Sequence, residues 1–198
     1  SGRRWAKWPG IASALFGRIS LALPQSTADA QRLAELGTRR ITVTGNLKYD
    51  VPAPPADPHA LAALNGVLAG RPVWVAASTH PGEEEHILEA HKTLKSRFPD
   101  LLTILAPRHP QRGGDVADLC AVEGLSAARR SARTLPDRAT DIYVADTVGE
   151  LGLFYRLSPV AFIGGSLVPH GGQNPIEPAK LGCAIVHGPH VHNFSDVY

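Results

Sequence analysis

The chain has 198 residues, of which 43% are hydrophobic and 19% are charged, a composition that is ordinary for a globular protein. Its net charge of +2 and its aromatic content of 6% do not indicate a nucleic-acid-binding protein. Cys120 and Cys183 form neither a metal-binding spacing nor a disulfide framework. No apolar run approaches the roughly 20 residues of a membrane-spanning helix. Because the chain contains no methionine, we expect the sequence to start within a longer protein.

The first 16 residues combine cations and tryptophans with an apolar run over residues 11–16. The polar part of this segment contains Arg3, Arg4, Trp5, Lys7 and Trp8. Cations beside tryptophans and an apolar stretch are typical of a segment that lies on a membrane surface. The alternative is a surface helix that uses its tryptophans for packing.

Residues 19–44 have the pattern of a strand, a helix and a second strand. The strands are predicted over residues 19–23 and 40–44. The helix is predicted over residues 28–36, with Ser26 or Thr27 as its N-cap and Gly37 after its last turn. This order is typical of the end of a βαβ unit.

A proline-rich connector follows, and it separates two predicted domains. Its prolines are Pro52, Pro54, Pro55 and Pro58, which cannot lie inside a sheet or a helix. We therefore expect one domain to end at residue 50 and a second to span residues 51–198. Lys48, just before the connector, is either an anion-binding residue in a cleft between the domains or an exposed surface lysine.

Strands and helices alternate through the second predicted domain. Strands are predicted over residues 72–77, 101–106, 141–145, 160–163 and 184–187, with a short one within 125–132. Helices are predicted over residues 59–68, 115–123 and 175–181. A further helix is predicted from the acidic residues 83–85 to about residue 97. Another is predicted to run to about residue 156, with Asp146 or Thr147 as its N-cap. This alternation predicts the α/β class, with a parallel sheet and helices on both of its faces.

The loops after Ala77, Ala106, Ala145 and Ile163 all follow the carboxyl ends of predicted strands. Open α/β sheets bind ligands at this edge, so we expect these loops to converge on one site. Arg108 is suited to clamp a phosphate, since a guanidinium matches phosphate oxygens, although it can equally be a surface arginine.

Two further loop segments carry candidate binding residues. Gly149 permits a close backbone approach at a helix start, and Glu150 can accept hydrogen bonds from a sugar or a base or simply complement the helix dipole. Residues 164–177 combine paired glycines with a helix start, which predicts a phosphate site, and Glu177 is placed to accept bonds from ribose hydroxyls. The alternative is a glycine-rich connection that only turns the chain.

Five segments, in this order, resemble the 3-deoxy-D-manno-octulosonic acid (Kdo) transferases, lipopolysaccharide enzymes of Gram-negative bacteria. They are GNLKYD at 45–50, ASTHPGEE at 77–84, APRHP at 106–110, DTVGEL at 146–151, and residues 164–177. The resemblance implies a GT-B arrangement of two Rossmann-like domains, of which the second binds the donor CMP-Kdo. Residues 1–50 would then be the end of the acceptor domain, and residues 51–198 the donor domain, truncated at its C-terminus.

The same resemblance implies roles for particular residues. The nucleotide contacts carry over onto Pro107, Arg108, Val148, Gly149, Glu150, Asn174, Pro175, Ile176 and Glu177. Lys48 matches a lysine that stabilises the transition state. Val148 and Gln173 are departures, because methionine and histidine are common at these positions in the family. The resemblance implies no metal and no cofactor, and it places the catalytic glutamate base outside this sequence.

The function implied by the resemblance is inverting transfer of Kdo from CMP-Kdo to a lipid A precursor, lipid IVA. The full-length protein would act at the cytoplasmic face of the bacterial inner membrane, without nucleic acid as a partner. The piece in hand would be soluble and inactive alone. Two alternatives stay open. One is another GT-B nucleotide-sugar enzyme, such as a UDP-sugar transferase or epimerase, and the other is a non-catalytic nucleotide-binding module.

Overall fold

The computed structural model describes residue 5 and residues 7–198, and it divides into two compact units, residues 1–52 and 53–198. Arg3 and Arg4 of the predicted membrane-surface segment lie outside the described residues. The described part of the first unit contains helix α1 (Pro9–Phe16), helix α2 (Thr27–Glu35) and a 3₁₀ turn (Leu47–Tyr49). Among the described residues, every helix falls short of the length and apolar content needed to cross a bilayer.

The helix of the predicted βαβ unit is confirmed, whereas its two strands are reduced to a bridge. Ser26 caps α2 by accepting a hydrogen bond from the Asp29 backbone N–H at 3.1 Å. The predicted strands 19–23 and 40–44 meet only in a parallel bridge between Ala22 and Ile41. Pro24 has no N–H with which to extend the ladder, and an isolated pair of strands is only marginally stable.

Apolar side chains remain exposed along α1. Trp5 packs edge-on against Phe16 with ring centroids 5.5 Å apart. Trp8, Ile11 and Leu15 are instead 63%, 58% and 54% exposed. Only one of the two tryptophans therefore packs within its own unit, and the choice between a membrane-surface segment and a surface helix stays a prediction.

The second unit is a six-stranded parallel sheet with helices on both faces, as the sequence pattern predicts. The strands are β1 (Val73–Thr79), β2 (Leu102–Pro107), β3 (Ala127–Arg129), β4 (Ile142–Val144), β5 (Val160–Ile163) and β6 (Ala184–His187). The helices are α3 (Pro58–Leu68), α4 (Glu84–Lys95), α5 (Gly113–Val122), α6 (Leu151–Arg156) and α7 (Ile176–Lys180), with a 3₁₀ turn at Pro110–Arg112. Every strand pair is parallel, and the order is β3-β4-β2-β1-β5-β6.

Two apolar clusters, one on each face, hold the helices to the sheet. On one face the strand residues Ala76, Leu105 and Phe162 pack with Ile87 of α4 and Val116 of α5. On the other face alternate residues of the same strands pack with α3 and α6, in a cluster that includes Val75, Ile104, Ile163, Leu64 and Leu153. Each such fully buried aliphatic side chain contributes about 1.5–3 kcal/mol, so the two clusters account for most of the stabilisation of this unit.

The strand order places a topological switch point between β1 and β5. The chain steps from β1 to β2 in one direction, and later crosses from β4 to β5 on the opposite side of β1. The two strands are in register, with Ala77 beside Ile163 at their carboxyl ends. Loops that leave such a point diverge and open a crevice, so this edge is where an open α/β sheet binds its ligands.

The predicted start of α6 is wrong. We expected Asp146 or Thr147 to be the N-cap, but the helix begins at Leu151 and its N-cap residue, Glu150, makes no side-chain capping bond. The Asp146 carboxylate instead accepts hydrogen bonds from Arg129 and Ser131. A charge-assisted bond to a guanidinium is stronger than a local cap, and it directs the carboxylate away from the helix.

Two glycines in helices test how closely the second unit is packed. A Cβ at Gly152 in α6 would lie 2.2 Å from the Pro55 carbonyl oxygen, so Gly152→Ala should destabilise this unit by about 1–3 kcal/mol through overpacking. A Cβ at Gly66 in α3 would meet nothing within 4 Å, so Gly66→Ala should stabilise by roughly 0.5–1 kcal/mol. Urea unfolding of both variants measures the difference. Equal effects in the two variants would contradict the packing described here.

Candidate functional site

The ends of β1 and β5 approach each other closely at the switch point. The register of β1 shifts between Ala77 and Thr79, and Ser78 in between has a left-handed φ of 59°. This bulge brings the Ser78 carbonyl against Gly164, where an added Cβ would lie 2.3 Å from the Ser78 oxygen. Only glycine permits this approach, so Gly164 serves backbone packing between the two loops.

The buried carboxylate of Glu83 joins these two loops. Its Oε2 accepts backbone N–H bonds from His80 at 2.8 Å and Gly165 at 2.7 Å. Its Oε1 accepts from Ser166 and Leu167, both at 2.9 Å. Three successive N–H groups that point to one spot form an anion-binding nest, and here the anion is the protein's own side chain. The expected phosphate cradle at the start of the glycine loop is therefore already filled.

A second buried carboxylate, that of Glu84, ties the β2 loop to the start of α4. It accepts a hydrogen bond from Arg112 Nη1 at 2.6 Å and one from Thr79 Oγ1 at 3.0 Å. Arg112 lies in the 3₁₀ turn after β2. The loops after β1, β2 and β5 are thus held by two adjacent carboxylates, which fixes their relative positions before any ligand arrives.

Asp146 and Glu150 make a similar pair of connections on the other side of the edge. Asp146 accepts from the Ser131 N–H at 2.8 Å and from Arg129 Nε at 2.9 Å. Burial opposes its ionisation, but these bonds outweigh burial and lower the pKa of Asp146. Glu150 accepts two bonds from Arg130, at 2.6 and 3.0 Å, which lower the pKa of Glu150. Both carboxylates therefore stay ionised and paired.

The expected ligand contacts of the β4 loop are placed at the surface of this edge. Val148 is 85% exposed, and Gly149 has a positive φ of 82°. The Gly149 N–H donates to no acceptor within the described part of the chain, which leaves it available. Glu150 is half-buried and already bound to Arg130, so any ligand meets a carboxylate whose orientation is set in advance.

Arg108 differs from the other arginines of this edge. Its backbone N–H donates to the Thr79 carbonyl at 2.9 Å, which places it beside the end of β1. Arg112, Arg129 and Arg130 are paired with carboxylates. The Arg108 side chain is exposed and has no carboxylate partner within the residues that the structure describes. Pro107, the last residue of β2, is buried beneath it.

The segment from Asn174 to Glu177 opens α7. Asn174 Oδ1 accepts from the Ile176 N–H at 3.2 Å, and its Nδ2 donates to Glu177 Oε1 at 3.1 Å. Pro175 and Ile176 are buried, while Asn174 and Glu177 are half-buried. The two polar side chains of this expected site segment are therefore fixed by each other, and the two apolar ones pack inward.

Lys48 lies in the first unit. It belongs to the 3₁₀ turn Leu47–Tyr49, where its backbone N–H donates to Asn46 Oδ1 at 3.1 Å. The remaining expected residues lie in the second unit, at the end of β2 or after β2, β4 and β5: Pro107, Arg108, 148–150 and 174–177. The structure brings these nine to one sheet edge, and the role of Lys48 stays a prediction.

Three histidines at the same edge did not enter the expected site. His80 stacks on His170 with centroids 4.1 Å apart and an interplanar angle of 22°. It also meets the edge of His109, with centroids 6.2 Å apart. Each of them follows the carboxyl end of a different strand, namely β1, β5 and β2. The sequence predicts this placement, because each histidine follows a predicted strand, but it does not predict that the rings stack.

An apolar groove of about 610 Å³ lies elsewhere, on a face of the sheet. It runs between α4 and the strands β5 and β6, and its lining includes Trp74, Ile87, Leu94, Phe162 and Val186. Such a lining offers few partners to a phosphate or a sugar hydroxyl. The polar edge, and not this groove, has the chemistry of an anion site.

Comparison with known proteins finds a matching family model and a similar solved structure. A family model described as 3-deoxy-D-manno-octulosonic-acid transferase (Kdo transferase) matches residues 1–51. The C-terminal CMP-Kdo binding domain of WaaA from Acinetobacter baumannii is a structural neighbour, with 37% identity and a TM-score of 0.64. That match covers 70% of this chain and 75% of the solved one.

Full-length relatives match over the whole chain. The 3-deoxy-D-manno-octulosonic acid transferase of Haemophilus influenzae is 39% identical over 201 residues, which is 100% of this chain and 47% of that protein. The enzyme of the same name from Bordetella pertussis is 40% identical over 202 residues, 99% of this chain and 47% of that protein. The chain therefore spans about half the length of the relatives it matches.

The hydrogen bonds of Glu83 predict that a nearly isosteric substitution of this residue lowers the free energy of unfolding strongly. Glu83→Gln removes the charge and turns one acceptor into an NH₂ group that faces backbone N–H donors. We expect it to lower the free energy of unfolding by about 2–4 kcal/mol, because buried bonds to a charged group are lost and donors are left unpaired. Urea denaturation measures this.

Glu85→Gln is the matched control. Glu85 is two residues further on, also at the start of α4, but it is exposed. Its replacement should change the free energy of unfolding by no more than about 0.5 kcal/mol. Similar values for the two variants would show that the Glu83 contacts do not hold this edge together.

Proposed function

Since this chain belongs to the 3-deoxy-D-manno-octulosonic acid (Kdo) transferase family, we propose that residues 51–198 bind the sugar nucleotide CMP-Kdo as a glycosyl donor. In this proposal the whole protein transfers Kdo, with inversion, to a lipid A precursor such as lipid IVA. Residues 1–50 are the end of the acceptor domain. The donor-binding role is supported by the similarity to the CMP-Kdo binding domain from Acinetobacter baumannii and by the geometry of this sheet edge.

One observation carries the proposal most directly: within the part of the chain that the structure describes, the Arg108 guanidinium has no carboxylate partner, and its backbone lies beside the end of β1. Three neighbouring arginines are neutralised by carboxylates, whereas Arg108 is exposed beside the end of β1. A guanidinium placed there matches two oxygens of a phosphate. In this proposal Arg108 binds the phosphate of the CMP moiety.

The remaining contacts of the nucleotide come from the loops after β4 and β5. The Gly149 N–H donates to an oxygen of the nucleotide. Val148 and Glu150, on either side of Gly149, form the rest of the nucleotide contacts from the β4 loop. On the other side, Asn174 and Glu177 present the polar groups, and Glu177 accepts a bond from a ribose hydroxyl. Pro175 and Ile176 hold this segment against the unit's core, which fixes the position of both polar residues.

In the proposed reaction a sugar hydroxyl of the acceptor attacks the anomeric carbon of Kdo, and CMP leaves as an anion. Negative charge grows on the phosphate as the bond breaks, so fixed cations stabilise the transition state more than the ground state. Arg108 supplies one such cation. For Lys48 we propose the role that the family resemblance implies, stabilisation of the transition state. The base that takes the proton of the hydroxyl belongs to the acceptor half of the protein, outside these residues.

A lipid acceptor requires the protein to work at a membrane surface, and we propose the cytoplasmic face of the bacterial inner membrane. The exposed Trp8, Ile11 and Leu15 of α1 are the residues of the first unit best suited to lie against lipid. Tryptophan is favoured at the boundary between headgroups and acyl chains, which fits the 63% exposure of Trp8.

Calorimetric titration of the chain with nucleotides tests the donor class. CMP should bind more tightly than UDP. Tighter binding of UDP would favour a different GT-B enzyme, such as a UDP-sugar transferase or epimerase. If the protein is instead a non-catalytic nucleotide-binding module, Arg108→Ala in the full-length protein should leave lipid glycosylation unchanged.

Arg108→Ala should weaken CMP binding about 10- to 100-fold, because a charge-assisted bond to phosphate is lost while the neighbouring Arg112, Arg129 and Arg130 are bound to carboxylates. Calorimetry with CMP measures the change, and urea unfolding should be unaffected, since the side chain is exposed.

Arg97→Ala is the control for loss of a surface cation. Arg97 follows α4, at the opposite edge of the sheet, where its guanidinium lies over the Phe98 ring. CMP affinity should not change in this variant. An Arg108→Ala variant that binds CMP as well as the unmodified chain would remove the main support for the proposed site.

A further inference from the structure

We propose that the stacked pair His80 and His170 is a second anion subsite, which takes the carboxylate of the donor sugar beside the phosphate held by Arg108. The inference rests on the proposed function, because it concerns the sugar half of the same ligand. In CMP-Kdo the carboxylate and the phosphate are attached to the same anomeric carbon. A protein that binds this donor therefore has to accommodate two anions next to each other.

The position of the pair supports this role. His80 follows β1 and His170 follows β5, so the two rings lie at the switch point where the crevice opens. Arg108 and His109, in the β2 loop, are close enough that their charges lower the pKa of His80. One guanidinium and three imidazole rings, from three loops, thus surround one location. Among the described residues, no group of three or more His, Cys, Asp or Glu side chains is placed to hold a metal ion.

The backbone nest of the glycine loop cannot serve the carboxylate instead. Its three N–H groups, of Gly165, Ser166 and Leu167, are all occupied by Glu83. The same carboxylate also accepts the backbone N–H of His80. The negative charge of Glu83 therefore lies next to the imidazole, where it favours the protonated ring and orients the loop that carries it.

His80 is suited to gain a proton when an anion binds. Burial lowers the pKa of His80, and the nearby His170, His109 and Arg108 act in the same direction, while Glu83 opposes them. The unliganded ring is therefore mostly neutral near pH 7. A carboxylate placed against it reverses the balance, because the opposite charge stabilises the imidazolium.

Gln173 accommodates both protonation states. Its Nε2 lies 3.2 Å from His80 Nε2, an arrangement in which the amide donates to a neutral ring. If the ring gains a proton at Nε2, rotation of the amide by half a turn presents the Gln173 oxygen as the acceptor. The change costs no hydrogen bond, so the protein can switch His80 between the neutral and charged forms without leaving a buried polar group unpaired.

The test is the ratio of the affinities for CMP-Kdo and CMP, measured by calorimetry on the whole chain. His170 is exposed, so His170→Ala should fold normally. We expect it to weaken CMP-Kdo binding about tenfold while CMP binding changes less than twofold. His80→Asn should do the same, with urea unfolding as the check on its fold. His86→Ala, an exposed histidine on α4, should change neither affinity.

These outcomes separate the two proposals. If the unmodified chain binds CMP-Kdo no more tightly than CMP, or if His170→Ala and His80→Asn leave the ratio unchanged, the subsite is refuted and nucleotide binding stands. Equal losses for CMP and CMP-Kdo in the histidine variants would also refute it. Failure of the unmodified chain to bind CMP would refute the proposed function itself.

Proton uptake gives a readout that a merely structural role would not affect. Calorimetric titration with CMP-Kdo at pH 7.5, in two buffers of different ionisation enthalpy, counts the protons taken up. The unmodified chain should take up a fraction of a proton, and its affinity should rise as the pH falls from 8 to 6.5. His80→Asn should abolish both effects. Binding without proton uptake in the unmodified chain would overturn the proposal.

Discussion

The carboxylate of Glu83 has no contact with solvent, so it depends on hydrogen bonds within the protein. Four backbone N–H groups supply them, one from the β1 loop and three from the β5 loop. A buried carboxylate without such donors would cost several kcal/mol, so movement of either loop away from Glu83 is strongly opposed. The shape of the edge on both sides of the switch point depends on this one group.

The same arrangement recurs around the edge. Glu84, Asp146 and Glu150 each bind an arginine from another loop or strand end. These carboxylates are therefore bound within the protein. Among the described residues, the groups of this edge that stay available to a ligand include Arg108, the histidines, the Gly149 N–H, Asn174 and Glu177. A site whose donors are already ordered loses little entropy when an anion binds, and that favours affinity.

The sequence was sufficient for the α/β class and for most elements of the second unit, because its parallel strands are continuous apolar runs bounded by loops. Rules of chain topology also brought Arg108, Gly149 and Glu177 to one edge. The nest around Glu83 was not predictable in this way, since its donors lie 82 to 84 residues away and are backbone groups, which carry no sequence signal.

Two other differences have physical reasons of the same kind. Local rules favour Asp146 as a helix cap, but an arginine 17 residues away competes for the carboxylate. Strands 19–23 and 40–44 have the right composition, yet they pair over a single bridge, because a ladder needs neighbours that the sequence pattern does not guarantee. In both cases the structure depends on contacts between residues far apart in the sequence, which local sequence rules do not predict.

A crystal structure of the chain with CMP bound is the most direct test of the view that the protein's own carboxylate fills the glycine-loop nest and that the ligand binds beside it. The account predicts that Glu83 keeps its bonds to Gly165, Ser166 and Leu167, and that the CMP phosphate contacts Arg108. A phosphate found in the nest itself, with the Glu83 side chain displaced, would contradict it.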